Sequence, residues 1–389
     1  MKQLNQTQKQ VLSFLSHALF GQAVGNISCD WKKLYREANF HKVFPLVFSS
    51  SKQYVTDSEL LQKAEKLARH SMASTVVLNH AHVSLHKLMS EENIPYVTFK
   101  GISSAQYYPE PNLRISGDVD FYVKKEDFER CEQALEKNGF ACEEHEGMHA
   151  AYQKDGVRLE QHRTFNGIPK NEKGKAIFQG AFGNLIESAV ILKTDFGEVR
   201  IPDTFHHGLI LLLHTLSHMT KEGIGLRHLC DWAVFEASLS NEEFVALFEK
   251  PLKAFGLWHF ARILSLCAVK YLGAPEKAWQ GEEEEHILNA LICDIMAAGN
   301  FGSKDKDRSG QIKYITDRGE GTVKRNSALK QGLQSVAKKA ELEHKSKTAV
   351  VMEYAKKVFT GKRKPDTAKT LEAAAERKAL YSEFHLFEE

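Results

Sequence analysis

Gly117-Asp118-Val119-Asp120-Phe121-Tyr122-Val123 is the stretch on which the reading of this chain turns. Apart from Asp120, its last five residues are β-branched or aromatic, which predicts a short strand. Side chains alternate along a strand. Asp118 and Asp120 therefore project to one face, and Val119, Phe121 and Val123 to the other. Two acids side by side repel. A divalent cation removes that cost, and oxygen ligands of this kind suit Mg²⁺ or Mn²⁺, which keep waters and take phosphate oxygens as their remaining ligands. An Asp-x-Asp pair alone is a weak signal, because it occurs on many solvated strands. Here the strand is otherwise apolar, and Gly117 ahead of it permits close approach of the backbone.

Two flanking segments strengthen the reading. Upstream, Pro95-Tyr96-Val97-Thr98-Phe99 predicts a strand that runs into Lys100-Gly101 and then a short helix from Ser103 to Tyr108. A glycine at a strand-to-helix turn lets backbone N–H groups face an anion, and the helix N-terminus adds partial positive charge. Lys100 offers a point charge for phosphate, and Ser103 or Ser104 a hydroxyl. The plain alternative is an ordinary capped turn with a surface lysine. Downstream, Val157-Arg158-Leu159-Glu160-Gln161-His162 alternates so that Arg158, Glu160 and His162 share one face. If that strand lies beside the aspartates, Glu160 becomes a third carboxylate, able to hold a second metal or help activate an attacking hydroxyl. A solvated strand face is the alternative. His162 either orients Glu160, contacts substrate or is structural.

The remaining chain frames this centre. Residues 1–92 read as a helical region, with apolar residues at helical spacing over Leu12–Leu19 and about Leu60–Met89. Residues 93–204 read as an α/β core, with a helix over Lys125–Asn138 stopped by Gly139. Further strands are expected at Phe140–Cys142, Ala150–Gln153, Val157–Phe165 and Ala189–Leu192, and a hairpin turn at Asp155-Gly156. Residues 205–305 read as a helical domain, and 306–389 as a charged helical extension. Within that extension, residues 324–369 carry 13 Lys or Arg against 4 acids. A solvated helix face is the plainer reading, and a phosphate-rich partner such as nucleic acid the lesser one. The net charge of +2 names no partner. With no long apolar run and no secretory leader pattern, a cytoplasmic protein without a membrane span is expected. The six cysteines lack metal or redox spacing and read as buried thiols of a reducing compartment.

These pieces resemble a known family. Phe99-Lys100-Gly101, Tyr107-Tyr108-Pro109, Leu113-Arg114 and Gly117-Asp118-Val119-Asp120 are similar to the motifs of a family of uncharacterised bacterial nucleotidyltransferases within the polymerase-beta superfamily. Glu160 followed by His162 is similar to a later acid-x-His, where relatives more often carry Asp; Glu keeps the charge and lengthens the arm. His214-Thr215-Leu216-Ser217-His218, Gly223 to Asp231 and Gly299-Asn300-Phe301-Gly302 extend the likeness over roughly residues 60 to 305. The resemblance implies an α+β fold, a mixed sheet flanked by helices, with helical regions on both sides in sequence. It implies transfer of a nucleoside monophosphate from an NTP to an unidentified acceptor by a two-metal mechanism. Asp118 and Asp120 would bind both metals, with Glu160 completing the second; Lys100, Gly101, Ser103 and Arg114 would face the triphosphate. His162 and Arg227 are candidate cleft residues, although Arg227 and Asp231, at i and i+4, also suit a helix-surface ion pair. His214 and His218 have the spacing of a metal pair but lack the glutamate of a zinc protease, so one packed and one cleft-lining histidine is expected. A catalytically silent nucleotide-binding or regulatory protein on the same fold, such as a toxin–antitoxin component, is the alternative.

Overall fold

The computed structural model describes residues 3–146, 149–165, 167–168, 172–305, 308 and 367–387. The chain divides into two compact units, Met1–Arg308 with Leu380–Glu389, and Ser309–Ala379. The sheet and the cleft described for this chain belong to the first. The basic stretch 324–369 lies, but for its last three residues, outside the described residues.

Four helices come first: α1 (Gln6–Phe20), α2 (Trp31–Phe40), α3 (Phe44–Ser51) and α4 (Ser58–Glu91). The core then runs β1 (Tyr96–Phe99), α5 (Gly101–Ala105), β2 (Val119–Val123), α6 (Phe128–Lys137), β3 (Ala141–Glu146), β4 (His149–Lys154) and β5 (Val157–His162). After α7 (Glu172–Phe182) and α8 (Leu185–Ser188) comes a separate ribbon of β6 (Val190–Thr194) and β7 (Gly197–Ile201). Helices α9 (Thr204–Thr220), α10 (Leu226–Ala237), α11 (Asn241–Phe244), α12 (Lys250–Phe255), α13 (Trp258–Leu272) and α14 (Glu285–Ala298) follow. The fold is thus mixed α+β, as expected. No helix among the described residues is long and apolar enough to cross a membrane. The six cysteines are free, but only Cys131, Cys230 and Cys267 are buried.

The five-stranded sheet has the order β1-β2-β5-β4-β3. It is antiparallel except for β2 and β5, which run parallel with Asp120 opposite Glu160 and Tyr122 opposite His162. Alternation then sorts the side chains. Val119, Phe121, Val123, Leu159 and Tyr152 pack on one face beneath α4 and α6, against Leu78, Leu85, Met89, Phe128 and Leu135. Burying each such side chain contributes about 1.5–3 kcal/mol, so this face fixes the register. A slip of one residue would turn Asp120 and Glu160 into the core. Gln161 also points inward, and its amide is satisfied: it donates to the Phe128 carbonyl at 3.1 Å and accepts from Tyr152 Oη at 2.9 Å.

Long α4 is started by Asp57, whose side chain accepts from Leu60 N at 3.0 Å. Its 34 residues reach past the sheet to the N-terminal helices. Three expectations need adjustment. The third long strand stops at His162, and Phe165 turns back to pack on Phe99, Tyr122 and Phe182. Strand β7 has no counterpart in the reading above, because Gly197-Glu198-Val199-Arg200-Ile201 is short and half polar. The short helix after Lys100 starts at Gly101 and ends at Ala105, before Tyr108.

Candidate active site

The acids on the open face of the sheet are held by local geometry. Asp120 is 4% exposed at the middle of the sheet, and its backbone carbonyl accepts from Thr98 Oγ1 at 2.9 Å. Its carboxylate oxygen Oδ1 receives two partners, Lys100 Nζ at 2.9 Å and His162 Nε2 at 2.8 Å. Glu160, its neighbour across the parallel pair, takes Arg158 Nε at 3.0 Å and lies 3.8 Å from His162 Nε2. Arg158 also reaches Glu143 at 3.1 Å and Glu144 at 3.2 Å, which anchors it on β3. Like charges directly opposite in a sheet repel, and these cations offset part of the repulsion.

Asp118 sits just before β2, and no hydrogen bond or ion pair to its carboxylate forms among the described residues. Burial, and next the Asp120 charge, push its carboxyl up to about 6. Burial also pushes Asp120 upward, but the Lys100 charge and the His162 hydrogen bond outweigh it and hold that carboxyl below the usual carboxylate range. The two aspartates are therefore unequal: Asp120 is directly paired with Lys100, and Asp118 has no direct ion pair.

The turn that delivers Lys100 is strained. Lys100 has φ 58° and ψ −138°, a region nearly reserved for glycine, which costs about 1–3 kcal/mol. Gly101 follows at φ 34°, where an added Cβ would lie 2.6 Å from His82 Nε2. His82, from α4, is wholly buried and joins its Nδ1 to Thr98 Oγ1 at 2.9 Å. Burial holds its imidazole down at about 3. A neutral ring on α4 thus supports both the strained turn and the strand that carries Asp120.

A cleft of about 400 Å³ opens above these groups. Lys100, Arg114, Asp118, Asp120, Glu160, His162 and Arg227, all candidates from sequence, line it together. Gly101 and Ser103 do not. Gly101 is packed under the turn, and Ser103 is fully buried with its Oγ 2.9 Å from His207 Nδ1. Arg114 is committed on two nitrogens: Nε donates to Asp231 Oδ1 at 3.0 Å and Nη2 to Oδ2 at 2.8 Å. Tyr108 Oη donates to the same carboxylate at 2.7 Å. Asp231 is thereby taken, so the pairing of Arg227 with Asp231 does not form. Arg227 instead donates to the Ile115 carbonyl at 3.3 Å and faces the cleft.

Sequence reasoning missed part of this wall. Lys42, Ser116, Asp231 and His228 line the cleft, as do Asn300 and Phe301. Both His214 and His218 do so, rather than one, and their rings touch at 4.5 Å. The His-x-x-x-His and Gly-Asn-Phe-Gly runs were visible, but nothing local said that two distant segments meet over the aspartates. Lys42 carries no sequence signal of this role.

Asp120, Glu160 and His162 bring one ligand atom each within 4.8 Å of one another, close enough to share an ion. Two carboxylates and an imidazole are a workable donor set for a divalent cation, and the unpaired Asp118 adds a further oxygen donor in the same cleft. A mixed sheet with these acids at the floor of a cleft is consistent with a nucleotidyltransferase fold. The chain matches the family described as uncharacterised nucleotidyltransferases over residues 28–273, and it belongs to that family. No curated protein and no solved structure matches it.

Proposed function

We propose that the protein transfers a nucleoside monophosphate from an NTP to an acceptor, on the polymerase-beta plan. The observation that carries this is the pairing of Asp120 with Glu160 across parallel strands, with Asp118 two residues upstream, in a cleft also lined by Lys100, Arg114 and Arg227. Asp118, Asp120 and Glu160 would hold Mg²⁺ or Mn²⁺, with His162 beside them. When bound, such an ion supplies charge for phosphate oxygens and lowers the pKa of an attacking group. The chain's own part is positioning. Lys100, on its strained turn, supplies a fixed cation at the carboxylates, and Arg227 supplies another in the cleft.

The test is pyrophosphate release from each NTP with Mg²⁺ or Mn²⁺ and candidate acceptors: small alcohols, sugar phosphates and protein hydroxyls. Asp120→Asn should abolish release. Release that survives this change refutes the assignment. One observation favours a second reading, a nucleotide-binding protein without turnover: Asp120 Oδ1 is already engaged by Lys100 and His162. Calorimetry separates the two. The enzyme reading requires divalent-cation binding that displaces this pairing and weakens in Asp120→Asn.

A further inference from the structure

Part of the cleft wall is built from rings: His214, His218, His228 and Phe301. Phe301 is 42% exposed, although it lies inside the cleft. An exposed phenylalanine is ordinary on a surface, but this one is held at φ 52° and ψ 43°, in the left-handed region that a bulky residue rarely adopts. The turn that holds it, Asn300–Gly302, is clasped to the α9–α10 connection by two close approaches. A Cβ on Gly225 would meet Asn300 N at 2.8 Å, and one on Gly302 would meet the Glu222 carbonyl at 2.8 Å. Neither neighbour is a flexible side chain, so the backbone is fixed there. A rigid, strained turn that presents an apolar ring to a polar cleft points to a ligand.

The surroundings say which ligand. The centre of the Phe301 ring lies 4.5 Å from that of His218, 5.3 Å from that of His228 and 6.5 Å from that of His214. Arg227 lies 5.7 Å from the same ring. Burial holds His214, His218 and His228 below the ordinary imidazole range, so these three rings add little charge. Polar capacity is nonetheless present. Among the described residues, Asn300 Oδ1 has no hydrogen-bond partner and the His228 ring has only the nearby Gly225 backbone, and both side chains line the cleft. An acyl chain would leave Asn300 Oδ1 unmet, which is costly. A polyanion would face rings held neutral. A flat heteroaromatic ring with its own donors and acceptors suits both the exposed phenyl ring and the polar atoms beside it.

We propose that Asn300, Phe301 and His228 form the subsite for the nucleobase of the NTP, with Phe301 stacking on the base. This rests on the transferase reading, since the phosphates would lie at Lys100 and the acids while the base reaches the ring wall. The experiment uses the full chain with Mg²⁺ and calorimetry against ATP, CTP and inorganic tripolyphosphate, which has phosphates and no base. The nucleotides are expected to bind at least about tenfold tighter than tripolyphosphate. Phe301→Ala should remove about tenfold of nucleotide affinity, equivalent to about 1.4 kcal/mol, and leave tripolyphosphate unchanged. In Phe301→Trp, nucleotide affinity should persist, and ATP but not tripolyphosphate should quench the fluorescence of the introduced indole. The subsite is overturned if Phe301→Ala leaves both affinities unchanged or lowers both equally, or if no quenching appears. If tripolyphosphate binds and nucleotides bind no tighter, the subsite falls while the metal and phosphate assignment stands. If none of the three binds, both fall together.

Discussion

Arg114, which lines the cleft, also carries a structural task whose size can be worked out. Its guanidinium forks onto Asp231 at 3.0 and 2.8 Å, and both side chains are almost fully buried, 4% and 8% exposed. Asp231 also accepts from Tyr108, so its carboxylate has three donors and no water is needed to satisfy it. Burial and the Asp231 charge act on Arg114 in opposite directions, and the Asp231 interactions prevail and hold it protonated. An exposed pair such as Lys63–Glu59 is worth at most about 1 kcal/mol. Removing one partner of a buried pair costs about 3–5 kcal/mol, because the survivor is left charged and desolvated. Arg114→Met should therefore destabilise the protein by about 3–5 kcal/mol. Arg114→Met with Asp231→Leu should recover at least about 2 kcal/mol of that, because no orphan charge remains. Urea unfolding followed by tryptophan fluorescence is a direct assay, since Trp232 adjoins Asp231 and is fully buried. The midpoints are compared at constant slope. A loss below about 1 kcal/mol for the single change, or simple additivity in the double, would refute the buried-fork argument.

Other outcomes follow from the same packing. Asp120→Asn should abolish pyrophosphate release with the fold retained, checked by activity and circular dichroism together. Gly101→Ala should cost more than about 1 kcal/mol, from positive φ and the collision with His82, measured as a lower urea midpoint. Acid should weaken the fold. His82 and His207 are pushed by burial from the ordinary 6.5 to about 3, so above pH 6.5 both states are neutral and nothing is gained or lost. Below it only the unfolded chain takes the proton, and stability falls by about 1.4 kcal/mol per pH unit per ring until the folded value is reached. From pH 7 to 5 each ring should thus cost about 2 kcal/mol, and His207→Gln should shrink the total loss by that amount; an unchanged loss would refute the argument.

Most of the sheet was legible before any coordinates. The alternation in Val119–Val123 and Val157–His162 depends on neighbours two residues apart, so one face of each strand was readable as apolar and the other as chemical. From that followed the common face of Asp120, Glu160 and His162, and the hairpin at Asp155-Gly156 that sets β5 against β4. The strained Lys100-Gly101 turn was readable as a special position from its glycine, though not that a buried histidine on α4 closes it from below.

Only the tertiary structure decided which of the candidate residues meet. Ser103 and Lys100 are three residues apart, yet the start of α5 turns the serine to His207 and leaves the lysine at Asp120. Arg114 and Arg227 both line the cleft, but Arg114 is tied to Asp231, 117 residues away, whereas Arg227 donates to the Ile115 carbonyl. The ring wall from His214 to Phe301 is assembled by packing between segments more than 70 residues apart in sequence. The aspartate pair was written in local alternation, which a sequence carries. The ring wall depends on long-range packing, which no local pattern encodes.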